Sequence, residues 1–160
     1  VRKVKTNKLF LISQEDYEQK ELGEEFRLKD LFNVKITQKD ISQSQIFKQM
    51  PKLEEKHKNF LKNIPNACIG VFTDRELKPG PKIQWTLANP EKIIPIEVKE
   101  PGVLFIEDEY NEKSLTIVKG YGEKAINQLK VNDLAQFERY GFISVDKKQK
   151  NKLLVNLAHK

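Results

Sequence analysis

The stretch that most constrains fold and function is residues 136–142, which reads Gln136-Phe137-Glu138-Arg139-Tyr140-Gly141-Phe142. An amide and a guanidinium lie three residues apart among three aromatic rings. Glutamine and arginine side chains can form paired hydrogen bonds with base edges, and rings can stack on bases. The same letters are also typical of an ordinary β-strand with buried phenylalanines. The stretch alone therefore leaves a base-reading surface and a plain barrel strand as open interpretations.

Outward from this stretch, the sequence predicts a mainly β chain of many short strands. Alternating and apolar runs predict strands at residues 8–12, 24–29, 31–36, 67–72, 82–87, 92–98, 103–106, 115–121, 134–139, 142–146 and 153–158. Frequent glycine and proline between short strands favours closed or nearly closed barrels. Pro95 within a run indicates an edge strand or a bulge. Short helical turns are predicted at residues 16–22 and 123–129.

Residues 40–63 differ in composition from the rest of the chain. They mix scattered apolar residues with many lysines, glutamates and glutamines, and Pro51 interrupts them. Helix-forming residues fill 52–62, so the segment predicts an exposed helical insertion of low stability. His57 lies in its charged part with no second histidine or cysteine at ligand spacing. Neither a metal site nor a catalytic role is predicted for it.

Charge and cysteine content limit the class of protein and its compartment. The net charge is +6 with a pI of about 9.2, which favours an anionic partner, nucleic acid ahead of a membrane. No apolar run approaches the roughly 20 residues that span a bilayer. The single Cys68 cannot form an internal disulfide, so a cytoplasmic location is expected. Because the sequence begins at Val1 and not at methionine, we expect a fragment or a processed chain.

No catalytic or cofactor-binding pattern is found. Gly120-Tyr121-Gly122 is a lone G-x-G without a third glycine, which does not predict a dinucleotide site. The acidic run 107–109 is typical of a solvated turn. No zinc-binding spacing of cysteine and histidine occurs. The sequence therefore predicts no catalytic residue, no metal and no cofactor in this chain.

The positive signal is a set of cations, amides and rings on predicted strands. Arg27 and Lys29 share the exposed face of one strand, and Lys82 and Gln84 share another. Lys119 and Tyr140 lie further along the chain. In β-type RNA-binding proteins, cations contact phosphates while amides and rings meet unstacked bases. Trp85 is interpreted as a core residue.

Three motifs resemble one known family. Leu22 to Val34 is similar to the "LG-x-x-x-RL-x-D" stretch of the anticodon-binding barrels of glutamyl- and glutaminyl-tRNA synthetases. Ile83-Gln84-Trp85 resembles the family's isoleucine, histidine-or-glutamine, tryptophan strand. Residues 136–146 resemble its "QFER-x-G" signature, which ends in aspartate. The motifs occur in the family's order, and the resemblance extends over almost the whole chain.

The resemblance implies a fold of two small β-barrels sharing strands, the type also seen in ribosomal protein L25-like proteins, with one helical insertion. Residues 1–160 would form the anticodon-binding region. Residues 1–36 and 115–160 would belong to the proximal barrel, 67–106 to the distal barrel and 40–63 to the insertion.

The resemblance also implies the partner and the binding residues. Glutamate and glutamine tRNAs share a central anticodon uridine, which Gln136 and Arg139 would read. Arg27 and Lys29 match family positions that contact the anticodon loop near its first base. Lys82, Gln84, Lys119 and Tyr140 are further candidates for RNA contact. At position 29 glutaminyl enzymes often carry arginine instead.

The ending, residues 155–160, resembles that of archaeal-type glutamyl enzymes. We therefore expect the chain to be the tRNA-binding C-terminal part of a glutamate–tRNA ligase. The catalytic domain, which uses ATP and Mg²⁺, would be missing or on a separate chain. The expected partner is tRNA(Glu), with tRNA(Gln) as a second candidate. Three alternatives stay open: the glutaminyl module, a stand-alone L25-like RNA-binding barrel, and a protein-interaction barrel whose basic face is only solvated.

Overall fold

A computed structural model describes residues 8–160 and confirms a mainly β architecture. The first seven residues of the predicted proximal barrel lie outside the described residues. The chain divides into two compact units, one ending at Glu91 and the other spanning Lys92–Lys160.

The first unit is built on a four-stranded sheet. The unit as a whole has six strands in the described residues: β1 (Phe10–Leu11), β2 (Glu25–Leu28), β3 (Phe32–Gln38), β4 (Ile69–Phe72), β5 (Lys82–Ile83) and β6 (Thr86–Leu87). The sheet order is β4-β3-β2-β5, and β1 pairs separately with β6. Alternation in β2 buries Phe26 and Leu28, which pack with Ile36 and Ile83. This alternation leaves the polar residues of β2 and β5 on the opposite, outer face.

Trp85 supports the core of this sheet, as predicted. Its ring meets Phe10 edge-to-face at a centroid distance of 5.2 Å, and its indole Nε1 donates to the carbonyl oxygen of Lys29 at 2.8 Å. An indole whose N–H is satisfied in this way can be buried at little cost. The predicted strand 82–87 is consequently two short strands, β5 and β6, with Gln84 and Trp85 between them.

Three short helices complete the first unit. They are α1 (Gln14–Glu18), α2 (Gln43–Gln49) and α3 (Glu55–Leu61). Ser42 caps α2 in a reciprocal capping box with Gln45. Helices α2 and α3 lie within the predicted insertion and are separated near Pro51, as expected. Their apolar side chains form a cluster centred on Ile46, Leu61 and Ala88.

The second unit is a five-stranded sheet with a separate hairpin. Its strands are β7 (Ile93–Pro101), β8 (Phe105–Ile106), β9 (Glu109–Tyr110), β10 (Leu115–Glu123), β11 (Leu134–Phe137), β12 (Gly141–Gln149) and β13 (Lys152–His159). The sheet order is β10-β7-β13-β12-β11, and β13 runs parallel to β7. Its core is aliphatic, with Ile143, Val145, Leu153 and Val155 fully buried.

Some strand predictions need correction. The predicted strand 134–139 ends at Phe137, because residues 138–140 form the turn to β12. Strand β9 was missed, since its two residues are too few to show alternation. Pro95 does not lie on an edge strand. It pairs with Tyr121 of β10, and the pairing with β13 begins one residue later at Ile96, so the missing N–H costs no ladder bond there.

Some strand pairings join segments that the prediction assigns to different barrels. Residues 115–123 pair with 93–101, which the prediction assigned to the other barrel. The strands of residues 25–38 pair with those of 69–83. The assignment of these segments to a proximal and a distal barrel stays a prediction.

Candidate nucleic-acid interface

The turn between β11 and β12 places Arg139 outside any strand. The Tyr140 N–H donates to the carbonyl oxygen of Phe137 at 2.9 Å, which closes a four-residue β-turn. At the third position of that turn, Arg139 has a φ of 64°, in the left-handed region that few arginines adopt. In a regular strand, Gln136 and Arg139 would point to opposite faces, because they are three residues apart. The turn removes that constraint.

Gln136 lies on the outward face of β11, two residues before the turn. It pairs with Phe142 of β12, and both side chains are exposed. Ala135 and Phe137, which flank Gln136, instead pack against the core cluster. The structure therefore brings an exposed amide and an exposed ring to adjacent positions, with the exposed Arg139 in the connecting turn.

Gly141 fixes the end of this turn against the last strand. Its φ is 151°, and a Cβ there would lie 2.5 Å from the carbonyl oxygen of His159 and 2.8 Å from Leu157 Cδ1. Any side chain would collide with backbone that cannot shift without opening the β12–β13 pairing. The glycine is thus required by both conformation and space.

Tyr140 is less available than the sequence suggests. Its ring packs against the core, and its hydroxyl donates to the Glu100 carboxylate at 2.5 Å. Burial, and then the bond to Glu100, raises the pKa of Tyr140 above its ordinary range. The hydroxyl of Tyr140 therefore already has a partner within the protein. Contact between Tyr140 and RNA stays a prediction.

In the first unit, two of the predicted residues, Arg27 and Lys82, lie side by side on the outer face of the four-stranded sheet. Arg27 of β2 pairs with Lys82 of the parallel neighbour β5, and parallel partners share a face. Lys29 lies in the turn that follows β2, and Gln84 lies in the link between β5 and β6. Arg27 and Lys29 are half-buried, whereas Lys82 and Gln84 are exposed.

Arg27 is engaged within the protein to an extent that the sequence did not show. Its Nη1 donates to Asn33 Oδ1 at 3.2 Å and to the carbonyl oxygens of Arg75 and Glu76 at 3.3 and 3.1 Å. The buried Asn33 in turn donates to Asp74 Oδ1 at 2.6 Å and to the Glu76 carbonyl oxygen at 2.9 Å. Arg27 and Asn33 together clamp loop 74–76 over the sheet.

Asn33 is a residue that sequence reasoning missed. The available signal was an asparagine among the apolar residues of a predicted strand, because asparagine is depleted in strands and a buried one needs hydrogen-bond partners. Exposed Arg75 belongs to the clamped loop and adds a cation to this region. Lys78, in the same loop, is paired with Asp74 and Glu25, which raise its pKa above the ordinary range.

Lys119 and Gln136 lie on different strands of the five-stranded sheet, β10 and β11. These are the two edge strands of the sheet, and Lys119 is exposed on β10. Lys119 pairs with Glu97, which also forms a 2.9 Å ion pair with Lys152.

Within residues 8–160, no group of three or more histidine, cysteine or acidic side chains is arranged to hold a metal ion. None of the helices in that range has the length and apolar content that crossing a bilayer demands.

Comparison with known proteins gives consistent matches. One family model described as "tRNA synthetases class I (E and Q), anti-codon binding domain" matches residues 1–53, and a second with the same description matches residues 82–146. Together they cover most of the chain. They include the resemblance motifs at residues 22–34, 83–85 and 136–146.

Among curated proteins, a glutamate–tRNA ligase of Pyrococcus furiosus is 29% identical over 100% of this chain and 22% of its own length. A glutamate–tRNA ligase of Sulfurisphaera tokodaii is 33% identical over 56% of the chain and 15% of its own length. A probable glutamine–tRNA ligase of Drosophila melanogaster is 48% identical over 49% of the chain and 11% of its own length. The chain thus spans 22% or less of these relatives. It belongs to the family of anticodon-binding domains of class I glutamyl- and glutaminyl-tRNA synthetases.

Proposed function

We propose that this chain binds the anticodon loop of tRNA(Glu) and reads its central uridine through Gln136 and Arg139. The observation that carries the proposal is the β11 end, where the strand stops at Phe137 and the turn frees Arg139 from strand alternation. An amide and a guanidinium at one strand end can donate and accept at the edge of a single splayed base. Family membership supports this role.

The cations of the first unit would supply affinity more than sequence discrimination. Lys82 is exposed on the outer sheet face beside Arg27, and a lysine contacts phosphate as a point charge. The net charge of +6 favours such contacts. Lys29, with Arg27, is proposed to contact the anticodon loop near its first base. Gln84, Lys119 and Tyr140 are proposed as further RNA contacts.

The whole protein is proposed to be a glutamate–tRNA ligase acting in the cytoplasm. In this proposal a catalytic part outside this chain uses ATP and Mg²⁺ to attach glutamate to tRNA, and this chain contributes binding only. Glutamate–tRNA ligases among the relatives support the glutamyl assignment, and tRNA(Gln) is the second candidate partner because a glutamine–tRNA ligase also matches.

The test is filter binding of the full chain to anticodon stem-loops that differ only at the central base. The wild type should bind the uridine loop more tightly than a cytidine loop, with an affinity that falls as salt rises. Arg139→Ala should weaken binding of the uridine loop by about 1–3 kcal/mol and reduce the preference between loops. The matched control is Lys113→Ala, since Lys113 is an exposed cation in the same unit.

Two results would refute the proposal. If the wild type bound all four loops with equal affinity, the chain would not recognise the central anticodon base. If Arg139→Ala bound the uridine loop as tightly as the wild type, Arg139 would not contact the central uridine. Tighter binding to 5S ribosomal RNA than to either tRNA would instead favour the stand-alone L25-like barrel.

A further inference from the structure

The ring of Phe142 is an exposed aromatic surface beside the proposed base-reading amide. Its side chain is 48% exposed although phenylalanine is among the residues most often buried. Phe142 faces outward from β12 directly opposite Gln136. Side chains at directly opposed positions of antiparallel strands have Cβ atoms about 5 Å apart. A group that meets the Gln136 amide is therefore also within reach of this ring.

The other two rings of residues 136–142 are committed elsewhere. Phe137 packs against the core, with its centroid 6.5 Å from that of Tyr140. The Tyr140 hydroxyl is bonded to Glu100. Of these three rings, only that of Phe142 is exposed; those of Phe137 and Tyr140 are half-buried. Packing within this unit does not explain why a large apolar ring is kept outward there.

Phe142 also continues a row across three strands. On its other side it pairs with His159 of β13, which is exposed, and the β12–β13 register shifts between Phe142 and Ile143. A bulge of this kind bends the strand and re-aims its side chains. The transverse row, defined as Gln136, Phe142 and His159, thus presents an amide, a phenyl ring and an imidazole in sequence.

We propose that Phe142 is a stacking platform for the base that Gln136 contacts. This inference rests on the proposed function and adds a sequence-tolerant component to it, because every base has a face that can stack on a ring. In this arrangement the ring supports the base from one side, while the amide and Arg139 discriminate its edge. Stacking then contributes to affinity for any base at that position, and the hydrogen bonds select uridine.

The experiment is a double-mutant cycle between protein and RNA, made with the full chain. Phe142→Leu removes the aromatic face and keeps an apolar side chain, and Phe142→Tyr restores a ring. The RNA probes are the uridine stem-loop and the same stem-loop with an abasic central nucleotide. Phe105→Leu is the matched control, because Phe105 is a 57% exposed ring on the β8–β9 hairpin of the same unit.

We expect Phe142→Leu to bind the uridine loop roughly 5- to 20-fold more weakly than the wild type. Phe142→Tyr and Phe105→Leu should stay within about twofold of the wild type. Against the abasic loop, the Phe142→Leu penalty should fall to within about twofold, because there is no base left to stack. Unchanged thermal unfolding of Phe142→Leu would confirm that the fold is intact. If Phe142→Leu unfolds, three other variants replace it. Phe142→Tyr and Phe142→His keep a ring, whereas Phe142→Met does not, and the ring-bearing pair should bind the uridine loop more tightly.

The outcomes separate this inference from the function on which it rests. If the wild type loses affinity on the abasic loop but Phe142→Leu binds like the wild type, stacking by Phe142 is wrong and base reading stands. The same holds if the Phe142→Leu penalty is equal on both loops. If the wild type binds both loops equally, the proposed function and the stacking role fall together.

Discussion

The guanidinium of Arg27 holds the backbone of Glu76 from 49 residues away in sequence, with Nη1 donating to the carbonyl oxygen at 3.1 Å. Arg27 is therefore a positioning residue for loop 74–76 as well as a candidate RNA contact. We expect Arg27→Ala to lower the free energy of unfolding by about 1–3 kcal/mol, because it removes three hydrogen bonds from a charged donor, one of them to the buried Asn33. Lys82→Ala, at the paired exposed position, should change it by no more than about 0.5 kcal/mol. Urea unfolding measures both.

RNA binding distinguishes the two roles further. Lys82→Ala should weaken binding to uridine and cytidine loops equally and reduce the slope of log affinity against log salt by about one. If Arg27→Ala unfolds at the same urea concentration as the wild type, the clamp assigned to Arg27 is incorrect.

Gly141 tests the contact between the β11–β12 turn and the last strand. Gly141→Ala would place a methyl group 2.5 Å from the His159 carbonyl oxygen at a φ of 151°, so we expect a loss of at least about 2 kcal/mol in the free energy of unfolding. Gly120→Ala is the control, because nothing lies within 4 Å of its added Cβ. Its unfolding free energy should be unchanged or about 0.5 kcal/mol higher. Equal effects of the two substitutions would contradict the proposed steric cause.

Arg139 should show opposite effects on stability and on binding. Its φ of 64° is strained for an arginine, so Arg139→Gly should raise the free energy of unfolding by up to about 1 kcal/mol. The same change removes the guanidinium and should weaken binding of the uridine loop. Glu138→Gly is the control: its φ is not positive, and it should lose about 0.5–1 kcal/mol. Thermal unfolding and filter binding on the same samples check this, and a large destabilisation by Arg139→Gly would contradict it.

His57 should be replaceable with a gain in stability. It is 6% exposed, and neither ring nitrogen has a hydrogen-bond partner in the part of the chain that the structure describes. Because an unsatisfied buried polar group is costly, His57→Leu should raise the free energy of unfolding by about 1–2 kcal/mol. His159→Leu, at an exposed site, should change it by less than about 0.5 kcal/mol. A loss of stability in His57→Leu would show that the imidazole has a partner after all.

Tyr17 should make stability fall at alkaline pH. Burial, and then its 2.6 Å hydrogen bond to Asp40, raises the pKa of Tyr17 to about 12. The folded state therefore holds this proton more tightly than the unfolded state, whose tyrosine pKa is about 10. The stabilisation is complete below the unfolded pKa and is lost as pH rises from about 10 to 12. Tyr17→Phe should make this decline shallower by up to about 1 kcal/mol per pH unit.

Urea unfolding at several pH values between about 9 and 11.5 measures the Tyr17 effect, with Tyr110→Phe as the control because Tyr110 is 63% exposed. The raised pKa of Tyr140 adds to the same decline, so a residual slope is expected in Tyr17→Phe. A slope identical to that of the wild type would show that Tyr17 does not contribute.

The strands and the insertion were largely predictable because their signals are local. Alternation of Phe26 and Leu28 with Arg27 and Lys29 is a period-two pattern that a half-buried strand requires. Boundaries were less accurate where tertiary contacts override propensity. The strand predicted at residues 134–139 stops early, because Phe137 to Tyr140 close a β-turn in which Arg139 has a φ of 64°. His57 was interpreted as part of a charged helix face, yet it is buried, since helix periodicity does not say which face meets a neighbour.

The resemblance to the family, the mainly β class and the set of side chains available for RNA recognition could all be recognised along the chain, because motifs and period-two alternation are local signals. How those side chains are used depends on tertiary contacts. Arg27 finds its carbonyl acceptors 48 and 49 residues away, Tyr140 finds Glu100 40 residues away, and Phe142 meets Gln136 only through the β11–β12 turn. The reason is physical. Whether a side chain forms a hydrogen bond or stays exposed depends on which residues from distant parts of the chain pack beside it, and contacts that close such long loops have no signature in the neighbouring sequence.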